Sequence, residues 1–332
     1  MTARATRVTL AAAAALAAAG AVLGAAPLGA QRYAYAQDYI ARADSFFRSG
    51  QIFQAETLYY AAMRRQTREP AARLALGRYF AARGALKAGA VLMEEARYFG
   101  GDAKTIAIYL APVYFALGDW RSLAALPGSP LPYADRARAE WLSKNAPGTE
   151  VPDSAAVPWT PADSGSLGSV SLVLGRDTLV ARIDPTTLGL VLDTAWVRRK
   201  QAVKSFASSF ESDLRNYTAV ALRVGLGDVT LVNLPARFAP QGSPREARLG
   251  LDVLAKMVPT FDPAAGTILL RSLPKLGADA PGEHMPTLTY ATGIWLVRPD
   301  GVWPLLDVRL HPSLRGVRWT LNPKRGEIIV AR

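Results

Sequence analysis

Few residues in this chain of 332 can do chemistry unaided. There is no cysteine, which removes disulfides, zinc–thiolate sites and a Cys nucleophile. The two histidines, His284 and His311, lie beside prolines or in loop-like sequence, a setting that argues against a histidine metal site or a Ser-His triad. Any reaction must therefore rest mainly on carboxylates. One of them, Asp193, is unusually placed: Gly189-Leu190-Val191-Leu192 runs straight into it, and Thr194 and Ala195 follow. The other acids have plainer readings. Asp184 precedes Pro185 in a turn, Asp262 precedes Pro263 in another, Asp252 opens a short helix as a cap, and Glu94-Glu95 belong to a solvated helix face. Gly225-Leu226-Gly227 lacks the third glycine and the following helix of a dinucleotide fingerprint, so no cofactor is expected.

The elements around Asp193 read as strands. Short apolar runs broken by turns occupy Val170 to Leu174, Thr178 to Ile183, Gly189 to Leu192, Ala219 to Val224, Val229 to Val232, Ala236 to Phe238, Val258 to Phe261 and Thr267 to Arg271, with a short helix over Leu251 to Met257. Upstream, Pro, Gly and Ser crowd residues 146–168, which read as a linker, preceded by a short helix from Ala134 to Ser143.

Before the linker, apolar residues fall at helical spacing and a period emerges. Gly50, Gly84 and Gly118 are 34 residues apart, preceded in register by the aromatics Phe46, Phe80 and Tyr114 and the small residues Ala43, Gly77 and Ala111. Small residues let paired helices approach, aromatics fill the groove, and the glycine ends a helix where φ must be positive. This spacing resembles the tetratricopeptide repeat, over two full copies and a third that frays at Pro127. The resemblance implies a concave face for a peptide or protein partner; the plainer alternative is packing against the next domain.

The β segment resembles retropepsin-like aspartic proteases. The resemblance rests on Gly189 to Ala195, on the hairpin Val224 to Arg237, on Arg248-Leu249-Gly250-Leu251-Asp252-Val253-Leu254, and on Thr260 to Leu270, in that order. It implies a C-terminal all-β, acid-protease-like barrel behind an α-helical N-terminal half, a multidomain α + β chain. It also implies chemistry in which two facing carboxyls share one proton, one acting as acid while the other activates water. Asp193 would be the general acid/base, Thr194 would brace the loop, and Ala195 would hold the small third position. One lobe supplies one aspartate, so the second must come from a homodimer mate or from a degenerate second lobe around Asp307. Bulky Trp196 and Val197, and a short glycine-free stretch from Trp196 to Thr218 where active members carry a flap, depart from the pattern and leave open a catalytically inactive binding or assembly protein.

The domain boundaries expected are an export signal at 1–30, helical repeats at 37–145, the linker at 146–168, the protease-like domain at 169–272 and a β extension at 273–332. Arg4 and Arg7 followed by the uncharged run Val8 to Ala26 read as a secretory leader, cleaved after Ala30 or within Ala34-Tyr35-Ala36, with a retained anchor as the alternative. Export places the chain in the periplasm or outside the cell. The net charge of +12 is scattered, its densest run being only Arg198-Arg199-Lys200, so the partner expected is a peptide or protein and not nucleic acid.

Overall fold

The computed structural model describes residues 35–162, 167–198, 201–206, 218–239, 247–272, 281–290, 293–298, 301–304, 314, 316–323 and 325–331. The leader at 1–30, His311 and Asp307 lie outside them. Among the described residues no helix is long and apolar enough to cross a membrane.

The chain is α + β, a helical half followed by a β half. Helices α1 (Ala36–Arg48), α2 (Ile52–Arg65), α3 (Pro70–Ala82), α4 (Leu86–Tyr98) and α5 (Ala103–Leu117) stack as antiparallel neighbours; the short α6 (Trp120–Ala124) and α7 (Tyr133–Lys144) close the layer. The 34-residue glycines sit where the spacing predicts. Gly50, Gly84 and Gly118 follow α1, α3 and α5 with φ of 79°, 81° and 70°, a left-handed turn that a side chain would strain. Gly77 and Gly89 let α3 and α4 cross closely, since a Cβ on Gly89 would stand 2.8 Å from the Gly77 carbonyl. Asp102 and Asp119 cap α5 and α6, accepting from Thr105 N–H at 2.7 Å and Ser122 N–H at 3.1 Å.

Two strands arise inside the segment read as a linker: β1 (Gly148–Glu150) and β2 (Ser154–Thr160). In β2, Ala155, Val157 and Trp159 are buried and their neighbours exposed, a period-2 pattern half hidden by Pro152 and Pro158. Beyond them lie β3 (Ser169–Leu174), β4 (Asp177–Asp184), β5 (Leu190–Leu192), β6 (Val203–Ser205), β7 (Thr218–Leu226), β8 (Val229–Phe238), β9 (Ala247–Gly250), the one-turn α8 (Leu251–Leu254), β10 (Thr260–Asp262) and β11 (Thr267–Arg271). The runs 229–232 and 236–238, expected as two strands, form the single β8. Pro235 lies within it, and Asn233 bends it at φ 53° while donating to the Asn145 carbonyl at 3.2 Å.

Six strands close on themselves in the order β3-β4-β9-β5-β8-β7 and back to β3, so residues 169–250 build a small barrel among the described residues. Its interior is filled by Leu172, Ile183, Leu190, Leu192, Val224, Leu249 and their neighbours. The C-terminal extension adds β12 (Glu283–Tyr290), β13 (Gly293–Arg298), β14 (Gly301–Pro304), β15 (Trp319–Asn322) and β16 (Glu327–Val330). The hairpin β15–β16 lies beside β10, with Thr260 opposite Thr320 and Phe261 opposite Trp319; those two rings stack at 4.1 Å. The hairpins β10–β11 and β15–β16 thus adjoin through β10 and β15.

The helical half packs directly on the β half. Arg83 donates to the Thr287 carbonyl at 2.9 Å, Leu288 and Val297 join the core of α1 to α3, and Val220 joins that of α4 to α7.

Candidate functional site

The strand that leads into Asp193 is three residues long and wholly buried, flanked by β8 in parallel and β9 antiparallel. Its entry is fixed by Gly189, at φ 68°, where a Cβ would stand 2.3 Å from the Pro235 carbonyl oxygen. The Gly189 N–H donates to both oxygens of Asp252, at 3.0 and 3.2 Å, and its carbonyl accepts from Gly250 N–H at 2.7 Å. Asp252 lies in the first turn of α8, and no side chain caps that helix. The expected capping role therefore gives way to a different one: the carboxylate reaches across 63 residues of sequence to hold the root of β5. Burial pushes the Asp252 carboxyl above its ordinary range, against the Gly189 hydrogen bond and the charge of Lys256.

On the other side of Gly189, Asp184 organises the turn out of β4, as expected. Its Oδ1 accepts from Thr186 N–H at 2.8 Å and Thr186 Oγ1 at 2.6 Å, and its Oδ2 from Thr187 Oγ1 at 2.9 Å, with Arg248 at 3.7 Å. Burial opposes the charged form, but these hydrogen bonds and Arg248 hold the carboxyl below its usual range. Two carboxylates thus brace β5 from opposite protonation tendencies.

Asp193 stands at the strand's exit, half-buried. Its Oδ1 accepts the Ala195 N–H at 2.7 Å, and its carbonyl accepts the Trp196 N–H at 3.1 Å. These bonds open a 3-10 turn over Thr194–Arg198. The backbone donor on the acid comes from the small third residue of the run. Ala195 supplies it without a positive φ and with its side chain exposed, so glycine is not required there. Trp196, expected as an obstacle, packs partly buried against the barrel core. The stretch after it forms a hairpin stem: β6 pairs with β7, and Phe206 N–H reaches the Thr218 carbonyl at 2.9 Å. Residues 207–217 fall outside the described set.

Among the described residues no hydrogen bond joins the Asp193 carboxyl to another carboxyl, so the described chain brings together Asp193, Thr194 and Ala195 but not a dyad. Nor do three or more His, Asp or Glu side chains there gather as a metal site. Asp262 is a turn residue, accepting Ala265 N–H at 3.0 Å. Glu94 and Glu95 are not merely solvated. Glu94 accepts from Tyr114 and Arg97, and Glu95 pairs with Arg73 at 3.0 Å, so both tie neighbouring helices together. His284, expected in a loop, lies in β12 with Nδ1 3.2 Å from Glu327.

Sequence reading missed Arg138 and Asp135, on α7. Arg138 Nη2 donates to Asp135 Oδ1 at 2.8 Å and its Nη1 to the Ala236 carbonyl of β8 at 3.0 Å; Thr218 Oγ1 donates to the same Asp135 oxygen at 3.0 Å. Burial pushes the Arg138 guanidinium down, Asp135 pulls it up, and neighbouring Arg237 lowers it further. One arginine among 39 basic residues carries no sequence signal of this kind.

The chain matches no family model and no curated protein. Among solved structures, a retropepsin-like aspartic protease from Rickettsia conorii aligns with 38% of this chain and 94% of its own, at 11% identity and a TM-score of 0.27. Likeness at that level says nothing about chemistry.

Proposed function

We propose that this is an exported, retropepsin-like protein that binds peptides and hydrolyses them as a homodimer, each copy contributing one Asp193. The observation that carries this reading is the carboxylate itself: half-buried at a strand exit, with Oδ1 held by the Ala195 N–H at 2.7 Å. Two such carboxyls brought face to face in a homodimer would share one proton, because like charges that close are not both ionised. The ionised carboxylate takes a proton from water as the water oxygen bonds to the scissile carbonyl carbon. The protonated carboxyl gives its proton to the carbonyl oxygen. Collapse of the resulting diol breaks the C–N bond, with a proton delivered to the leaving nitrogen, and releases an acid and an amine. Thr194 would steady the loop. The helical hairpins, tetratricopeptide-like in spacing, would gather the peptide or protein on which the barrel acts, in the periplasm or outside the cell.

The test is hydrolysis of a fluorogenic peptide library between pH 3 and 7 by the chain from residue 31 onward. Cleavage at the acid end, lost by at least about a hundredfold in Asp193→Asn, is the expected result. Cleavage unaltered by that substitution would place the chemistry elsewhere. A second reading, a non-catalytic cell-envelope assembly protein, is favoured by one observation: β15 occupies the free edge of β10, closing one strand edge along which a second copy could pair. Absence of hydrolysis, with partner capture unchanged in Asp193→Asn, would select it.

A further inference from the structure

A cavity of about 440 Å³ lies where the helical half meets the barrel, in the size range of small-molecule sites, about 300–1,000 Å³. Its walls come from both halves. Ile108, Phe115 and Leu131 line it from the helical half, and Leu188 and Phe238 from the barrel. Ile108 and Leu188 remain 56% and 39% exposed, so apolar surface is left open at the seam.

The polar groups of this cavity are few and unbalanced. Arg138, Arg237 and Asp135 line it, two cations against one anion. Asp135 is already engaged twice, by Arg138 and by Thr218. The Arg138 side chain is only 13% exposed, and its Nε is shut off from solvent with no hydrogen-bond acceptor among the described residues. A ligand in the cavity does not reach that atom, and the open cation is Arg237, exposed on β8. A carboxylate fits Arg237, because a guanidinium presents several donors in one plane to two oxygens, and the Arg138 charge beside it adds attraction. The apolar walls exclude a ligand that is polar throughout.

We propose that this interdomain cavity binds a monocarboxylate with an apolar body, its carboxylate on Arg237 and drawn by the charge of Arg138, and its apolar part against Ile108, Phe115 and Leu188. Two sources share that chemistry, a medium-chain fatty acid and the free C-terminus of an apolar peptide. Asp193 does not line this cavity, and the proposal does not depend on hydrolysis.

The experiment is calorimetric titration of the chain from residue 31 onward with decanoate, decanol, N-acetyl-Leu-Phe and N-acetyl-Leu-Phe amide. Saturable one-to-one binding is expected for at least one carboxylate, at least tenfold tighter than for its uncharged counterpart. Decanoate alone would identify an acyl ligand, and the free dipeptide alone a peptide C-terminus. Leu188→Glu places a negative charge in the partly exposed wall without emptying the core, so it should keep the wild-type Tm and lose at least tenfold in affinity. Arg237→Gln, at an exposed position, should lose severalfold. The proposal is overturned if neither carboxylate binds, if alcohol or amide binds as well as its acid, or if folded Leu188→Glu binds like wild type.

Discussion

Asp193 and Arg138 are both set against the short strand β5 and its neighbour β8, yet their surroundings differ in kind. Asp193 is half-buried, and its carboxylate accepts one backbone N–H. Arg138 is almost enclosed, fixed by Asp135 and the Ala236 carbonyl, with Phe115 at 5.6 Å from the guanidinium. The acid has room to meet a group from outside the chain. The cation is committed to joining the two halves. A half-buried acid and an enclosed cation tied into both halves can thus share one strand pair, the difference lying in how many partners each has among the described residues.

The sharpest way to break the comparison is to disturb what the two regions share. Gly189→Ala forces a side chain into a left-handed backbone and against the Pro235 carbonyl, and should cost about 3 kcal/mol, degrading both regions together in denaturant unfolding. Arg138→Met should separate them. It leaves Asp135 with Thr218 and without its cation, a loss of about 3 kcal/mol at most, while any Asp193-dependent hydrolysis measured well below the melting point persists.

A smaller effect distinguishes the two carboxylates beneath β5 by the sign of their pH dependence. The Asp184 carboxyl is held low, so its stabilisation is complete above the unfolded value of about 3.9 and fades as pH falls through its folded value. Asp184→Asn should therefore cost about 1 kcal/mol at pH 6 and progressively less towards pH 2. The Asp252 carboxyl is held high, so its contribution is complete below about 3.9 and is lost as pH rises through its folded value. The stability of wild type relative to Asp252→Asn should accordingly decline from pH 3 to pH 7. Urea midpoints across that range check both slopes, and parallel slopes would contradict the assignment.

Much of this organisation is legible in the sequence where the signal is local. The recurring glycines mark helix ends because only they tolerate φ near 75°. The apolar run into Asp193 marks a buried strand, and Asp-Pro marks turns. What escapes is non-local or masked by proline. β2 alternates cleanly but is punctuated like a linker, and β8 continues through Pro235 because Asn233 bends it there. Asp252 meets Gly189 across 63 residues, and Arg138 meets Ala236 across 98, distances over which spacing carries no information. Of the candidate site, the acid and its loop were readable; its supports and its neighbouring cavity were not.

The central claim is that two copies of Asp193 complete one site. Its most direct test is the specific hydrolysis rate per chain, at pH 4 to 5, over a thousandfold range of protein concentration, with Asp193→Asn mixed in at fixed total. The account predicts a rate per chain that rises with concentration to a plateau and falls with the square of the wild-type fraction as the variant is added. A rate per chain independent of concentration and linear in the wild-type fraction would contradict it.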